Sequence, residues 1–343
     1  MIFKDKKILI TGGTGSLGKK LVSRILTGEL GIPSKVIIFS RDEDKQHQMR
    51  LEWKQKLAAT DEIIYRHAEE ILEFQIGDIR DFHSVQSVVK NTDIIINAAA
   101  LKQVPTCEYF PYEAVRTNIK GAYNIVTAVA NNDFKVDTIV GVSTDKACKP
   151  VNVMGMTKSI QERILIEGNL KYPKTRFICV RYGNVLASRG SVIPLFLDQI
   201  RMGGPVTITT PDMTRFLMSL DKAVDTIFAT IREAKQGETF IPRVPSAKII
   251  DIANVMIGNR EIEIKNMGIR PGEKVHEVLI SEEECCRTID RGNYFAIQPI
   301  LPELRSSEEN TNCLNKEYTS KDDLMTKEEI RELLGKHNLL IED

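Results

Sequence analysis

Two hydroxyls, an acid and a lysine stand consecutively at Ser143-Thr144-Asp145-Lys146, and a short Pro-containing turn carries the chain on to Met154-Gly155-Met156-Thr157-Lys158. Asp145 and Lys146 can each give or take a proton and Thr144 can hydrogen-bond an oxygen, so the first run has the parts of an acid–base site. Met154 and Lys158 are four residues apart, a spacing that puts both on one face of a helix. A thioether has no proton to exchange. Proton transfer here therefore falls to Asp145 and Lys146, and Met154 reads as a packing side chain within the site. An isolated Asp-Lys would be an ordinary surface ion pair in a turn; directly after a strand ending in Ser-Thr it reads as chemistry.

The elements that must position these residues alternate in kind. Lys7–Ile10, Val36–Phe39, Glu73–Ile76, Asp93–Asn97, Thr138–Ser143 and Phe177–Arg181 are short runs rich in Ile, Val or Phe and read as strands. Between them, Leu17–Leu26, Asp42–Ala59, Val115–Asn131 and Met156–Gly168 have helical period. Such alternation requires right-handed crossovers and an α/β fold, a doubly wound parallel sheet covered on both faces. We expect a Rossmann domain over 1–183, with part of about 214–245 returning to it. A smaller substrate lobe over 184–213 and 246–302 is broken by Pro205, Pro211, Pro271, Pro299 and Pro302. A polar tail, 303–343, ends in a helix capped at Thr326 with Glu329 three residues on.

Composition narrows the function classes. With 42% apolar and 27% charged residues over 343 positions, the chain has the material for a sizeable core. Lys plus Arg equal Asp plus Glu at 47 each, so no global field draws nucleic acid or an anionic membrane, and an anion must be held by local groups. The charged start Lys4-Asp5-Lys6-Lys7 and the lack of a long apolar run give the expectation of a cytoplasmic protein without a membrane span. The six cysteines show no CxxC pairing and the five histidines are scattered, so neither a metal site nor a disulfide framework is expected.

Cofactor signals follow the strand ends. Thr11-Gly12-Gly13-Thr14-Gly15-Ser16-Leu17-Gly18 follows the first strand and opens a helix, which is the arrangement that binds a dinucleotide pyrophosphate at a helix N-terminus. Ser40 and Arg41 close the second strand; a charge-assisted pair there suits a 2′-phosphate, so NADP is favoured over NAD. Asp78 and Ile79 are expected beside the adenine, and Ala98-Ala99-Ala100 after the fourth strand lets small side chains approach the cofactor.

Taken together these motifs resemble the extended short-chain dehydrogenase/reductases, and more closely the bacterial UDP-N-acetylglucosamine 4,6-dehydratases that invert C5. The resemblance runs from Lys7 to about Pro302 through Ala100-Leu101-Lys102-Gln103-Val104-Pro105, Thr117-Asn118-Ile119-Lys120-Gly121, Arg181-Tyr182-Gly183-Asn184-Val185, Ser188-Arg189-Gly190-Ser191-Val192, Met213-Thr214-Arg215-Phe216 and Arg270-Pro271-Gly272-Glu273-Lys274. Most of that superfamily carries Tyr where Met154 stands. None of the eight tyrosines here is followed four residues later by Lys, and the Met resembles the branch that makes the N-acetyl-L-fucosamine precursor for capsule and O-antigen.

The resemblance implies a mechanism. Hydride leaves sugar C4 for NADP, the C5 proton is removed, the C6 hydroxyl departs, and hydride returns to C6. Lys146 is then the base at C5, on the expectation that burial and nearby positive charge lower its pKa. Asp145 is the acid for the leaving hydroxyl, Thr144 a partner of the C4 oxygen, and Lys158 the holder of the nicotinamide ribose. Asn118 lines the cofactor site. Lys102, Asn184, Arg189, Arg215, Arg270 and Glu273 are implied for UDP-N-acetylglucosamine, the arginines as diphosphate forks. Relatives assemble through helices of the dinucleotide domain, so a homo-oligomer is expected, a hexamer among its forms, with the tail as a latch on a neighbour. Two rival readings stay open: a nucleotide-sugar epimerase or reductase, and a catalytically dead NADP-binding regulatory protein.

Overall fold

Strands that are apolar at nearly every position need cover on both faces, and the structure provides it. The structure, a computed structural model, describes residues 1–59, 68–132, 134–186, 191–305 and 314–341. Six parallel strands, β1 (Lys7–Thr11), β2 (Lys35–Ser40), β3 (Leu72–Ile76), β4 (Ile94–Asn97), β5 (Thr138–Val142) and β6 (Arg176–Val180), lie in the order β3-β2-β1-β4-β5-β6. That is the order of the doubly wound dinucleotide fold. Side chains alternate between two cores. Ile8, Ile10, Val36, Ile38, Ile94 and Ile96 meet Leu21, Val22 and Ile25 of helix α1 (Ser16–Leu26) and Met49 of α2 (Glu43–Ala59). Leu9, Ile37, Ile95 and Ile139 meet α3 (Phe82–Val89), α4 (Gly121–Asn132) and α5 (Val153–Lys171) through Val85, Ile125 and Leu165. Each such buried side chain contributes about 1.5–3 kcal/mol relative to exposure. The helical stretch expected from Val115 begins with a π-helical turn, Val115–Lys120, before α4.

Beyond β6 the chain shuttles between lobes. β7 (Asn184–Val185), α6 (Val192–Arg201), β8 (Val206–Ile208) and β9 (Thr214–Met218) lead into α7 (Leu220–Glu233), which returns to the first face of the large sheet. β10 (Thr239–Pro242) then joins β6 in parallel. β11 (Ser246–Lys248), α8 (Ile249–Ile257), β12 (Ile264–Asn266) and β13 (Val278–Ile280) follow. β9 pairs with β7 and β11 in a small sheet while its Phe216 and Met218 bury in the large-sheet core, and α7 and β10 of 214–245 join the large domain. The hairpin β14 (Thr288–Arg291) and β15 (Tyr294–Ile297), expected in the small lobe, extends the large sheet antiparallel to β10, because Phe295, Ala296 and Ile297 bury against the same core.

Residues 314–341 of the tail pack on their own chain. β16 (Tyr318–Thr319) pairs with β13, and α9 (Lys327–Lys336) lays Ile330 and Leu334 into the small-lobe core beside Ile252 and Val255 of α8. The expected cap is present: Glu329 N–H donates to Thr326 Oγ1 at 3.2 Å and Thr326 N–H donates to Glu329 Oε2 at 2.7 Å. Among the described residues no helix is long and apolar enough to cross a membrane.

Candidate active site

The glycine turn after β1 is built for close approach. Gly12 has φ +67° and its backbone N–H bonds Phe39 O at 2.8 Å; a Cβ there would lie 2.9 Å from Ala99 Cα. Gly18 is buried against the turn, Leu17 is half-buried on the core, and Gly15 and Ser16 are exposed with Thr14 beside them. No side chain caps the start of α1 and no acid occupies its first turn, which leaves backbone N–H groups to face an anion. Ala98 and Ala99 stand across the turn, where Ala99 N–H donates to Thr11 Oγ1 at 3.2 Å, and Ala100 continues that loop.

At the end of β2, Ser40 Oγ accepts from Gln46 Nε2 at 3.0 Å and the half-exposed Arg41 lies 3.9 Å from Asp78. Asp78 is engaged chiefly by Arg80, at 2.6 Å. Partial burial pushes the Asp78 carboxyl up, but the Arg80 hydrogen bonds and the Arg41 charge outweigh it and hold it below the usual range. Ile79 beside it is buried. Asn118, in the π-helical turn, clamps the loop after β4 by accepting from Leu101 N–H at 2.9 Å and donating to Leu101 O at 3.0 Å.

The acid–base run forms a 3-10 turn, Asp145–Ala147, at the end of β5. Thr144 Oγ1 accepts from Lys146 N–H and donates to Asp145 Oδ1 at 2.9 Å. Ser143 turns away and donates to Glu162, which with Glu284 encloses the buried Arg181. Gly155 lets α5 abut this turn: a Cβ there would meet Lys146 O at 2.1 Å. Met154, 5% exposed, sits in an apolar cluster with Cys107, Ala114, Leu101 and Val104, the packing role expected of it.

Lys146 Nζ lies 3.1 Å from Asp145 Oδ1 and 3.1 Å from Glu277 Oε1. Burial lowers its pKa, but these two carboxylates outweigh burial and the net shift is upward. The expected lowering is thus corrected: the nearest charges are negative, and Arg215 opposes them only in part. Asp145 is fully buried, and that burial raises its carboxyl despite Lys146. The pKa of Lys158 falls instead, to about 8, because burial dominates. Its Nζ donates to Val142 O at 2.5 Å and to Gln161 Oε1 at 2.7 Å.

The residues expected for a nucleotide sugar divide. Arg215 is buried, donating to the carbonyls of Thr214 and Val275, with Nε 3.8 Å from Glu277, so it belongs to the Lys146 cluster. Arg270 is exposed, Glu273 accepts from Thr209 Oγ1 at 3.3 Å, and their turn docks on α5 through Asn152, which donates to Gly272 O at 2.7 Å. Lys102 is exposed, and Arg189 lies outside the described residues. Among the described residues, Asn184 Oδ1, Ser191 Oγ and Thr210 Oγ1 are buried without a hydrogen-bond partner, as are Asp145 Oδ2 and Glu277 Oε2. Thr210 and Glu277 stand in no motif, and Ser191 stands in the Ser188–Val192 run without an assigned role. Glu277 follows the Arg270–Lys274 run by three residues, and only the fold brings it to Lys146.

A family described as polysaccharide biosynthesis protein matches residues 8–299. A relative named UDP-glucose 4-epimerase, from Rickettsia typhi, is 40% identical over 344 residues, covering 97% of this chain and 96% of its own. The X-ray structure of Pen from Bacillus thuringiensis superposes with a TM-score of 0.88 at 36% identity, covering 99% of this chain and 100% of that one. DesIV, a dTDP-glucose 4,6-dehydratase from Streptomyces venezuelae with NAD and TYD bound, gives a TM-score of 0.65 at 18% identity over 78% of this chain and 86% of its own, which shows the shared fold.

Proposed function

The chain belongs to the polysaccharide biosynthesis protein family, and from that membership we propose a UDP-N-acetylglucosamine 4,6-dehydratase that inverts C5. Its product would be UDP-2-acetamido-2,6-dideoxy-β-L-arabino-hexos-4-ulose, for capsule or O-antigen sugar synthesis. The observation that carries the reading is Asp145, fully buried against Lys146, beside a Met154 packed among apolar side chains. A dehydratase needs an acid for the C6 hydroxyl and a base for the C5 proton, and these are such groups.

NADP is the cofactor we assign. The positive-φ Gly12, the uncapped start of α1 and the cationic Arg41 fit a dinucleotide with a 2′-phosphate. Gly12 to Gly18, Ser40 and Arg41 would hold its phosphates, Asp78 and Ile79 its adenine side, Ala98 to Ala100 and Asn118 its inner face, and Lys158 its nicotinamide ribose. When bound, it would supply the acceptor for hydride from C4 and the donor for C6. Thr144 would orient the C4 oxygen, Lys158 through a water would take the C4 hydroxyl proton, Lys146 would take the C5 proton, and Asp145 would protonate the departing hydroxyl. Asn184, Arg189, Arg215, Arg270, Glu273 and Lys102 are our assignments for the UDP-sugar. The exposed Tyr109, Phe110, Tyr112, Tyr123, Met156 and Ile160 support a homo-oligomer.

The name carried by the Rickettsia typhi relative favours a second reading, a 4-epimerase. An epimerase moves hydride out and back at C4 and needs no acid for a leaving group, so Asp145 would have no task in it. Purified protein with NADP and either UDP-N-acetylglucosamine or UDP-glucose, followed by NMR, decides. A 6-deoxy-4-keto product is expected; a C4 epimer with its C6 hydroxyl intact would overturn the dehydratase reading.

A further inference from the structure

Glu277, next to β13, is 1% exposed and shares the Lys146 ammonium with Asp145, each carboxylate contributing an oxygen at 3.1 Å. Two buried carboxylates thus face one lysine, and each keeps its second oxygen buried without a hydrogen-bond partner among the described residues. Such an arrangement costs free energy, and a structure that retains it has a use for it. The tail fixes its geometry. Glu277 N–H donates to Ser320 Oγ at 2.9 Å, and Ser320 N–H donates to Glu277 O at 2.8 Å. The charged groups facing Glu277 are Lys146 and, across it, Asp145 on the turn after β5, Arg215 on β9, and Lys274 in the preceding loop.

We propose that Glu277 is a positioning residue of the acid–base cluster, one that exchanges a proton with Lys146 and so lets a lysine flanked by carboxylates act as a base. The inference rests on the dehydratase reading. An ammonium–carboxylate pair and an amine–carboxylic acid pair hold the same proton, and exclusion of water by a bound sugar favours the neutral pair. At the start Asp145 carries a proton on its unpartnered Oδ2 and Glu277 is ionised; Lys146 passes its proton to Glu277 Oε1 and becomes an amine. The amine takes the C5 proton, the C5–H electron pair moves into the C5–C6 bond, and the C6–O bond breaks. The hydroxyl leaves as water with the proton of Asp145. The cluster has gained one proton and lost one. Lys146, touching both carboxylates, then carries the proton from Glu277 to Asp145; with the hydride that left C4 returned to C6, C5 is reprotonated from solvent on its other face.

Glu277→Gln tests this with NADP and UDP-N-acetylglucosamine. At pH 7 kcat is expected to fall about 10²-fold, the lower range for a proton-transfer group, with KM little changed. The rate should recover as pH rises, since Lys146 must now lose its proton to solvent. A kcat within about threefold of wild type, or an equal loss at every pH, would overturn the proposal. Glu277→Asp keeps the charge at a longer reach and should lose less while keeping the wild-type pH profile; it decides the matter should the Gln variant not fold, an undiminished kcat counting against. If wild-type protein makes no 6-deoxy product, the dehydratase reading fails separately. The ligand-free NMR titration of 15N-labelled Lys146 still answers for Glu277: removing the anion must move that titration to lower pH, and an unmoved titration sinks the pairing.

Discussion

Two lysines twelve positions apart show what decides a proton's affinity in this site. The turn after β5 holds Lys146 between Asp145 and Glu277, and its pKa rises. The first turns of α5 hold Lys158 against a carbonyl and an amide oxygen, and its pKa falls to about 8. Burial acts downward on both. Neighbouring charge, supplied in one case by a residue 131 positions later in the chain, separates them. The lesson is that a half-buried lysine next to a strand end is not thereby a ready base; in the ligand-free protein Lys146 is held as an ammonium and Lys158 is the more readily deprotonated of the two.

The largest effect expected from this comparison is at Lys146. Lys146→Ala should lower dehydratase turnover by about 10³-fold while UDP-sugar binding, followed by calorimetry, stays within a few-fold, as for a group that acts mainly in the transition state. Comparable losses of binding and turnover would reduce Lys146 to a ligand of the sugar.

Lys158 should show in stability. Its pKa is about 8 folded against 10.5 as a reference. Between those values the unfolded chain binds more protons, so the Lys158 contribution to stability rises with pH through that window and is least at neutrality and below. Lys158→Met removes this dependence. Urea unfolding should find the Met variant's stability relative to wild type falling between pH 7 and pH 10.5, by up to about 3 kcal/mol. A difference that does not change with pH would mean the Lys158 ammonium is stabilised where it lies.

The smallest effect belongs to Met154, which shares a helix face with Lys158 and has no proton to offer. Met154→Leu nearly conserves volume and should cost less than about 1.5 kcal/mol of stability while keeping most turnover. A loss of turnover by orders of magnitude in folded protein would show that the thioether matters to the neighbouring lysine.

The parts of this molecule legible in the sequence are those set by local pattern. The strand runs and helical periods placed β1 to β6 within two residues of their ends, and the Thr326-Glu329 spacing marked a real cap, because periodicity and capping are short-range. The hairpin at 288–297 looked like lobe because a strand's sheet membership is a long-range choice made by the core it finds. Lys146 was misjudged for the same reason: Asp145 is its neighbour in sequence, but Glu277 reaches it only through β13, itself braced by β16 of the tail. Glu277 carries no motif of its own.

A base at C5 coupled to hydride movement from C4 to C6 leaves an isotopic signature. Turnover of UDP-N-acetylglucosamine in D2O should place deuterium at C5 of the product, since the Lys146 ammonium exchanges with solvent and reprotonation comes from the other face. Substrate deuterated at C4 should deliver its label to C6. A 6-deoxy product without deuterium at C5, or one whose C4 label fails to appear at C6, would contradict the mechanism and with it the roles given to Lys146, Asp145 and Glu277.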